Sequence, residues 1–208
     1  VDLQQAIHSA VRAASLSASD AVVERLSQYY ELLRTWNRRI NLTALQLEDF
    51  PAATLERLIV EPLIAAQLVT DEEVDMLDLG SGGGSPAIPM KIACAQLRLT
   101  MVESREKKSS FLREAVRQLS LANSAVVTGR VETMSLVPGY RASIVTVRAL
   151  RIDRPLLDRL AEYVEPSSRL FLFGGPDPLD SRLRRLETIR LPGTQQPLTV
   201  WRWITRPQ

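Results

Sequence analysis

The 208-residue sequence predicts an α/β protein: a mainly parallel sheet with an antiparallel last strand, preceded by an N-terminal helical extension. Three observations carry this. From about residue 74 onward, short apolar runs alternate with amphipathic segments, the order that buries a parallel sheet under helices on both faces. The first run, MLDL, opens directly into four glycines in five residues, Gly80 to Gly84 around Ser81. The second, LRLTMVE, ends on an acid, Glu103.

Taken in order, the chain first shows a helix in which Asp20 is placed as the cap. Val22, Leu26, Tyr29, Leu33, Trp36 and Ile40 recur at spacings of four and three, and Asn41-Leu42-Thr43 ends the stripe. A second helical stretch, roughly 54–69, is interrupted by Pro62. Residues 1–70 are therefore expected to form the helical extension and 71–208 the α/β domain. The first strand is expected at 74–79. Beyond the glycines, Pro86 suits the first turn of a helix with Ser85 as its N-cap. Pro89 then requires either a start near Ile88 or the loss of one backbone bond. Alternation in LRLTMVE reads as the second strand. An amphipathic helix follows at 105–121, with Phe111, Leu112, Ala115, Val116 and Leu119 on one side. Further strands are expected at 125–129, 143–150 and 169–175, and a helix near 155–164. The tail, LPGTQQPLTVWRWI, reads as a turn and one antiparallel edge strand, with Trp201 and Trp203 on one face as a core pair or a base-stacking pair.

Composition narrows the chemistry. Hydrophobic residues at 45% with 24% charged residues suit a soluble globular protein, and no apolar run reaches the roughly 18–20 residues of a membrane helix. The opening VDLQQAIHSA has no basic-then-apolar pattern, so a cytoplasmic protein is expected. Cys94 is the only cysteine and His8 the only histidine, which argues against disulfides, a metal site and histidine-dependent hydrolysis. Of the 26 basic residues 23 are arginine, and residues 71–208 carry 20 of them against 16 acids. Arg148, Arg151 and Arg154 form a small basic stripe, placed for phosphate contact or as a solvated helix start.

The glycine loop has three chemical readings. A phosphate-cradling loop needs a lysine right after its last glycine, but Lys91 lies seven residues beyond Gly84. A dinucleotide fingerprint fits Gly80 and Gly82, with Ser85 where the third glycine belongs. The S-adenosylmethionine pattern G-x-G-x-G fits Gly80, Gly82 and Gly84 throughout. Glu103, about 20 residues on, is where a carboxylate grips a ribose diol in either nucleoside cofactor. Candidate cofactor contacts are thus Asp78, Gly80, Ser81, Gly82, Gly84, Ser85, Glu103 and Ser104.

LDLGSGGGSPAIP, ESREKKSSFLR, GRVE and VTVRAL, with WNRRINLT upstream, resemble the bacterial glucose-inhibited division protein B family of guanine-N7 methyltransferases acting on small-subunit ribosomal RNA. The resemblance implies a Rossmann-like class I fold for 71–208, S-adenosyl-L-methionine as methyl donor, and 16S rRNA or a small-subunit precursor as partner, with a monomer expected and no metal. It implies cofactor contacts from Gly80 and Ser85, and Val131 and Glu132 beside the adenine. Arg148 would face the methionine end or the substrate. Asn41 would face the base or stop the helix, and Glu61 stands at the acid position as a carboxylate near the reacting ring. The chain departs from the family pattern at Arg57-Leu58, Glu61-Pro62, Phe173-Gly174 and Gln195-Gln196-Pro197. These departures leave open another RNA or a small molecule as acceptor; an NAD-binding oxidoreductase, and a degenerate module that holds the cofactor without turnover, are the remaining alternatives.

Overall fold

Strand side chains leave the backbone on alternate faces, and here both faces are apolar. The computed structural model describes residues 2–194 and 196–204, so Gln195 of the last departure and residues 205–208 lie outside the described residues. Seven strands are formed: β1 Asp75–Leu79, β2 Arg98–Glu103, β3 Ser124–Thr128, β4 Ala142–Arg148, β5 Val164–Phe173, β6 Leu183–Ile189 and β7 Leu198–Trp203. They make one sheet in the order β3-β2-β1-β4-β5-β7-β6. The first five run parallel, while β7 is antiparallel to β5 and β6.

Met76, Leu99, Met101, Ile144, Phe171 and Val200 enter one core, shared with the N-terminal helices. Leu77, Val102, Val147, Leu172, Trp201 and Trp203 enter a second core on the other face. Phe171 is fully buried, so truncation to alanine would cost ~3–5 kcal/mol. The two tryptophans are thus core residues, and their strand is interior because β6 takes the edge. The sequence reading missed β6: LRRLETI buries only Leu183 and shows no alternation, as suits a charged edge.

The helices are α1 Leu3–Ala13, α2 Asp20–Asn37, α3 Ala52–Leu55, α4 Glu61–Ala66, α5 Ala87–Ala93, α6 Glu106–Gln118 and α7 Arg154–Leu160. The unexpected α1 buries Leu3, Ile7 and Val11 one turn apart, and Asp2 caps it by accepting from Gln4 N–H. His8 lies on α1, 3.4 Å from Asp20. The cap of α2 is Ser19, which accepts from Val22 N–H, rather than Asp20. The helix stops at Asn37, short of Asn41, because the Asn37 side chain accepts from the Leu42 and Thr43 N–H groups and turns the chain.

Pro62 does not break its helix. A π-helical turn, Glu56–Val60, joins α3 to α4, and Glu61 N–H bonds to Glu56 O five residues back. An α-helical bond to Leu58 O, or a π-helical bond to Arg57 O, would need an N–H from residue 62, which proline lacks. Both carbonyls instead accept from side chains at the site. Pro89 falls in the first turn of α5, which starts at Ala87; Ile88 N–H bonds to Gly84 O and Met90 N–H to Pro86 O on either side, so the one rung that residue 89 would supply is missing.

Candidate functional site

The parallel strands β1, β2 and β4 end at one edge of the sheet, where ligands of open α/β folds bind. There Gly80, Gly82 and Gly84 take φ of 69°, 53° and 85°. At Gly84 a Cβ would also lie 2.5 Å from Ile88 Cδ1, so space and backbone angle both exclude a side chain. Gly83 has no such backbone angle, but a Cβ there would stand 3.1 Å from Leu33 Cδ1 of α2, which packs against the loop and would have to give by a few tenths of an ångström. Tyr29 on the same helix donates from its hydroxyl to Gly83 O at 2.7 Å, and burial raises its pKa further above the ordinary tyrosine value.

Glu103 closes the second side of the loop. Its Oε2 accepts from Gly82 N–H and its Oε1 from Arg105 N–H, each at 2.8 Å. The Ser104 hydroxyl donates to Oε1 at 3.4 Å. These bonds fix the carboxylate at the cleft floor, and Oε2 keeps a lone pair for a ligand hydroxyl.

Two cavities meet here, of about 510 Å³ and 470 Å³, sharing Gly80, Ser104, Arg105 and Leu150. The first is walled by Ser81, Gly82, Ser85, Glu103 and Arg148, with Leu42 to Leu45 opposite. The second holds Val131, Glu132 and Arg130. Asp78 and Gly84 stand behind the loop rather than in the wall. Asp78 is buried; its Oδ1 accepts from Thr146 Oγ1 at 2.6 Å, its Oδ2 has no partner, and burial pushes its pKa up to about 6. A larger cavity, about 1020 Å³, contains Arg151 and Arg154 beside Asp153, Asp158 and Asp180. It lies apart from the glycine loop, and its charges largely offset one another.

Arg148 is the hub of the first cavity. Its Nη1 donates to Arg57 O at 2.6 Å, and its Nη2 to Glu61 Oε2 at 2.7 Å. The β4–β5 register sets it beside Phe173, with the guanidinium 4.4 Å from the ring centroid. Ser85 takes the other carbonyl, donating from Oγ to Leu58 O at 3.2 Å, which is why it does not cap α5. Burial lowers the Arg148 pKa to about 10 and raises that of Glu61, against the pull of Arg148 and Arg57. Two of the departures from the family pattern, Glu61 and Phe173, thus contact one arginine.

A family model described as rRNA small subunit methyltransferase G (GidB) matches residues 22–192. The chain belongs to this family. A relative of that name from Neisseria meningitidis serogroup A is 35% identical over 178 residues, covering 84% of this chain and 78% of its own. One from a Roseiflexus species is 36% identical over 161 residues, covering 76% and 66%. Among solved structures, a mutant of MtNAS in complex with S-adenosylmethionine has TM-score 0.57 at 14% identity, over 99% of this chain and 85% of that one. That likeness concerns the fold, which is the Rossmann-like class I methyltransferase fold expected from the sequence.

Within this cleft the structure gathers Gly80, Ser81, Gly82, Ser85, Glu103, Ser104 and Arg148, with Val131 and Glu132 next door. Asn41 is exposed and does not line the cleft; Thr43, two residues on, does. Glu61 is 1% exposed and reaches the cleft only through Arg148 and Arg57. Arg57, Arg105 and Lys108 line the wall and were not singled out as contacts. For Arg105 and Lys108 a signal existed, since both follow Glu103 at the start of a helix. Among the described residues no helix is long and apolar enough to cross a membrane, and no group of three metal-ligating side chains exists.

Proposed function

We propose that this chain transfers a methyl group from S-adenosyl-L-methionine to N7 of a guanine in 16S rRNA, acting in the cytoplasm as a monomer on the RNA or a small-subunit precursor. The observation that carries the reading is Glu103, held by Gly82 and Arg105 N–H groups at the floor of a glycine-walled cleft. The residues suit the donor. Glu103 Oε2 can accept from a ribose hydroxyl, Val131 and Glu132 wall the space for the base, and the unpartnered Nε–H of the cleft-lining Arg148 favours a ligand with polar groups at that end. Bound there, the donor supplies an electrophilic methyl group.

Guanine N7 carries a lone pair in the neutral base, so no proton has to be removed. The chain's own task is then to align, to exclude water and to stabilise displaced charge. The sole histidine lies on α1, outside the cleft-lining residues, consistent with chemistry that needs no imidazole. We read 1–70 as the part that closes the cleft through Tyr29, Arg57 and Leu42 to Leu45, and 71–208 as the methyltransferase domain.

The test is transfer of labelled methyl from S-adenosyl-L-methionine to naked 16S rRNA and to assembled small subunits, followed by nucleoside mass spectrometry. Label in 7-methylguanosine is expected. Label in another nucleoside, or none in RNA, refutes the acceptor assignment.

A further inference from the structure

Arg57, Glu61 and Arg148 share one carboxylate between two guanidiniums. Arg57 Nη1 and Arg148 Nη2 lie 3.1 Å and 2.7 Å from the same oxygen, Glu61 Oε2. Two positive charges thus meet one negative charge, in a wall where burial already penalises charge. The surplus faces the cleft, because both arginines line it and Glu61 does not.

Arg57 is the exposed member, its side chain 28% accessible against 10% for Arg148. It is held from two directions: Glu61 grips the side chain from one turn on, and Arg148 grips the Arg57 carbonyl. A guanidinium held this way gives up little freedom when it binds, and its planar fork matches an oxyanion with two oxygens. Behind it, Arg148 keeps an unpartnered Nε–H in its nine-tenths-buried side chain.

We propose that the Arg57–Glu61–Arg148 triad is an oxyanion subsite of the cleft, with Arg57 contacting the ligand and Glu61 acting as the positioning residue for both guanidiniums. The proposal rests on the methyl-transfer reading, which supplies two sources of such an anion: the carboxylate of the methyl donor and a phosphate of the RNA.

Arg57→Gln and Arg57→Lys, each checked for wild-type circular dichroism, separate the sources. Calorimetry is run with S-adenosyl-L-methionine and with methylthioadenosine, which lacks the carboxylate. Filter binding is run with a 16S rRNA fragment across a salt series. If the donor carboxylate is the ligand, Arg57→Gln weakens S-adenosyl-L-methionine about tenfold and leaves methylthioadenosine unchanged. If a phosphate is the ligand, donor affinity holds, RNA affinity falls about tenfold, and the log–log salt slope drops by ~0.7–0.9. Arg57→Lys keeps the charge without the fork, so it recovers part of the loss and carries the test if Arg57→Gln does not fold. A folded Arg57→Gln protein matching wild type in every assay overturns the subsite. A wild-type protein that binds no S-adenosyl-L-methionine overturns instead the reading beneath it, and the subsite with it.

Discussion

Asp78 makes folding stability depend on pH in a direction opposite to that of a salt-bridged carboxylate. It is fully buried at the end of β1, one oxygen bonded to Thr146 and the other unpartnered, and burial lifts its pKa from 3.8 to about 6. A group whose folded pKa is raised contributes stability that is complete below the unfolded value and lost as pH rises through the folded one. The shift of about two units corresponds to ~3 kcal/mol across the whole window. Between pH 7 and pH 5, protonation in the folded state alone returns about 1 kcal/mol, or ~2–4 °C of Tm for a domain of this size. Asp78→Asn removes the titration while its side-chain oxygen can still accept from Thr146. Calorimetric melts of both proteins should therefore show the wild type gaining ~2–4 °C more than the variant on going from pH 7 to 5. Equal changes in the two proteins would refute the argument, whatever their absolute Tm values.

Three further outcomes are expected. Glu103→Ala removes the acceptor of Gly82 and Arg105 N–H as well as the ribose contact, so S-adenosyl-L-methionine should bind weaker by ~1.5–3 kcal/mol in calorimetry while circular dichroism keeps its wild-type form; unchanged affinity removes Glu103 from the site. Ser85→Ala leaves Leu58 O without its donor, and a loss of ~1–3 kcal/mol in urea unfolding is expected, whereas an unchanged midpoint would mean that water satisfies that carbonyl. Single-turnover methyl transfer at saturating substrates should be nearly flat from about pH 6.5 to 8.5, where an imidazole base would titrate, and His8→Ala should not alter it; a tenfold rise in a step shown to be chemistry would point to an acceptor atom that must lose a proton.

What the sequence determined by itself is the part encoded locally. Short apolar runs marked the five parallel strands and β7, the glycine spacing marked the turn after β1, and Glu103 marked the tip of β2, since each signal lies within one element or its immediate loop. Edge strand β6 was not legible because a strand that buries a single side chain needs no apolar alternation. Helix α1 was legible in Leu3, Ile7 and Val11 and was passed over. The heart of the site was decided by tertiary structure. Pro62 reads locally as an interruption; only folding brings Ser85 and Arg148, 27 and 91 residues along the chain from their partners, to the carbonyls of Leu58 and Arg57 that precede it. The same contacts gather Glu61, Phe173 and Arg57 around Arg148. A buried carbonyl or guanidinium must find a partner, but nothing in the local pattern of one segment records which distant segment will supply it.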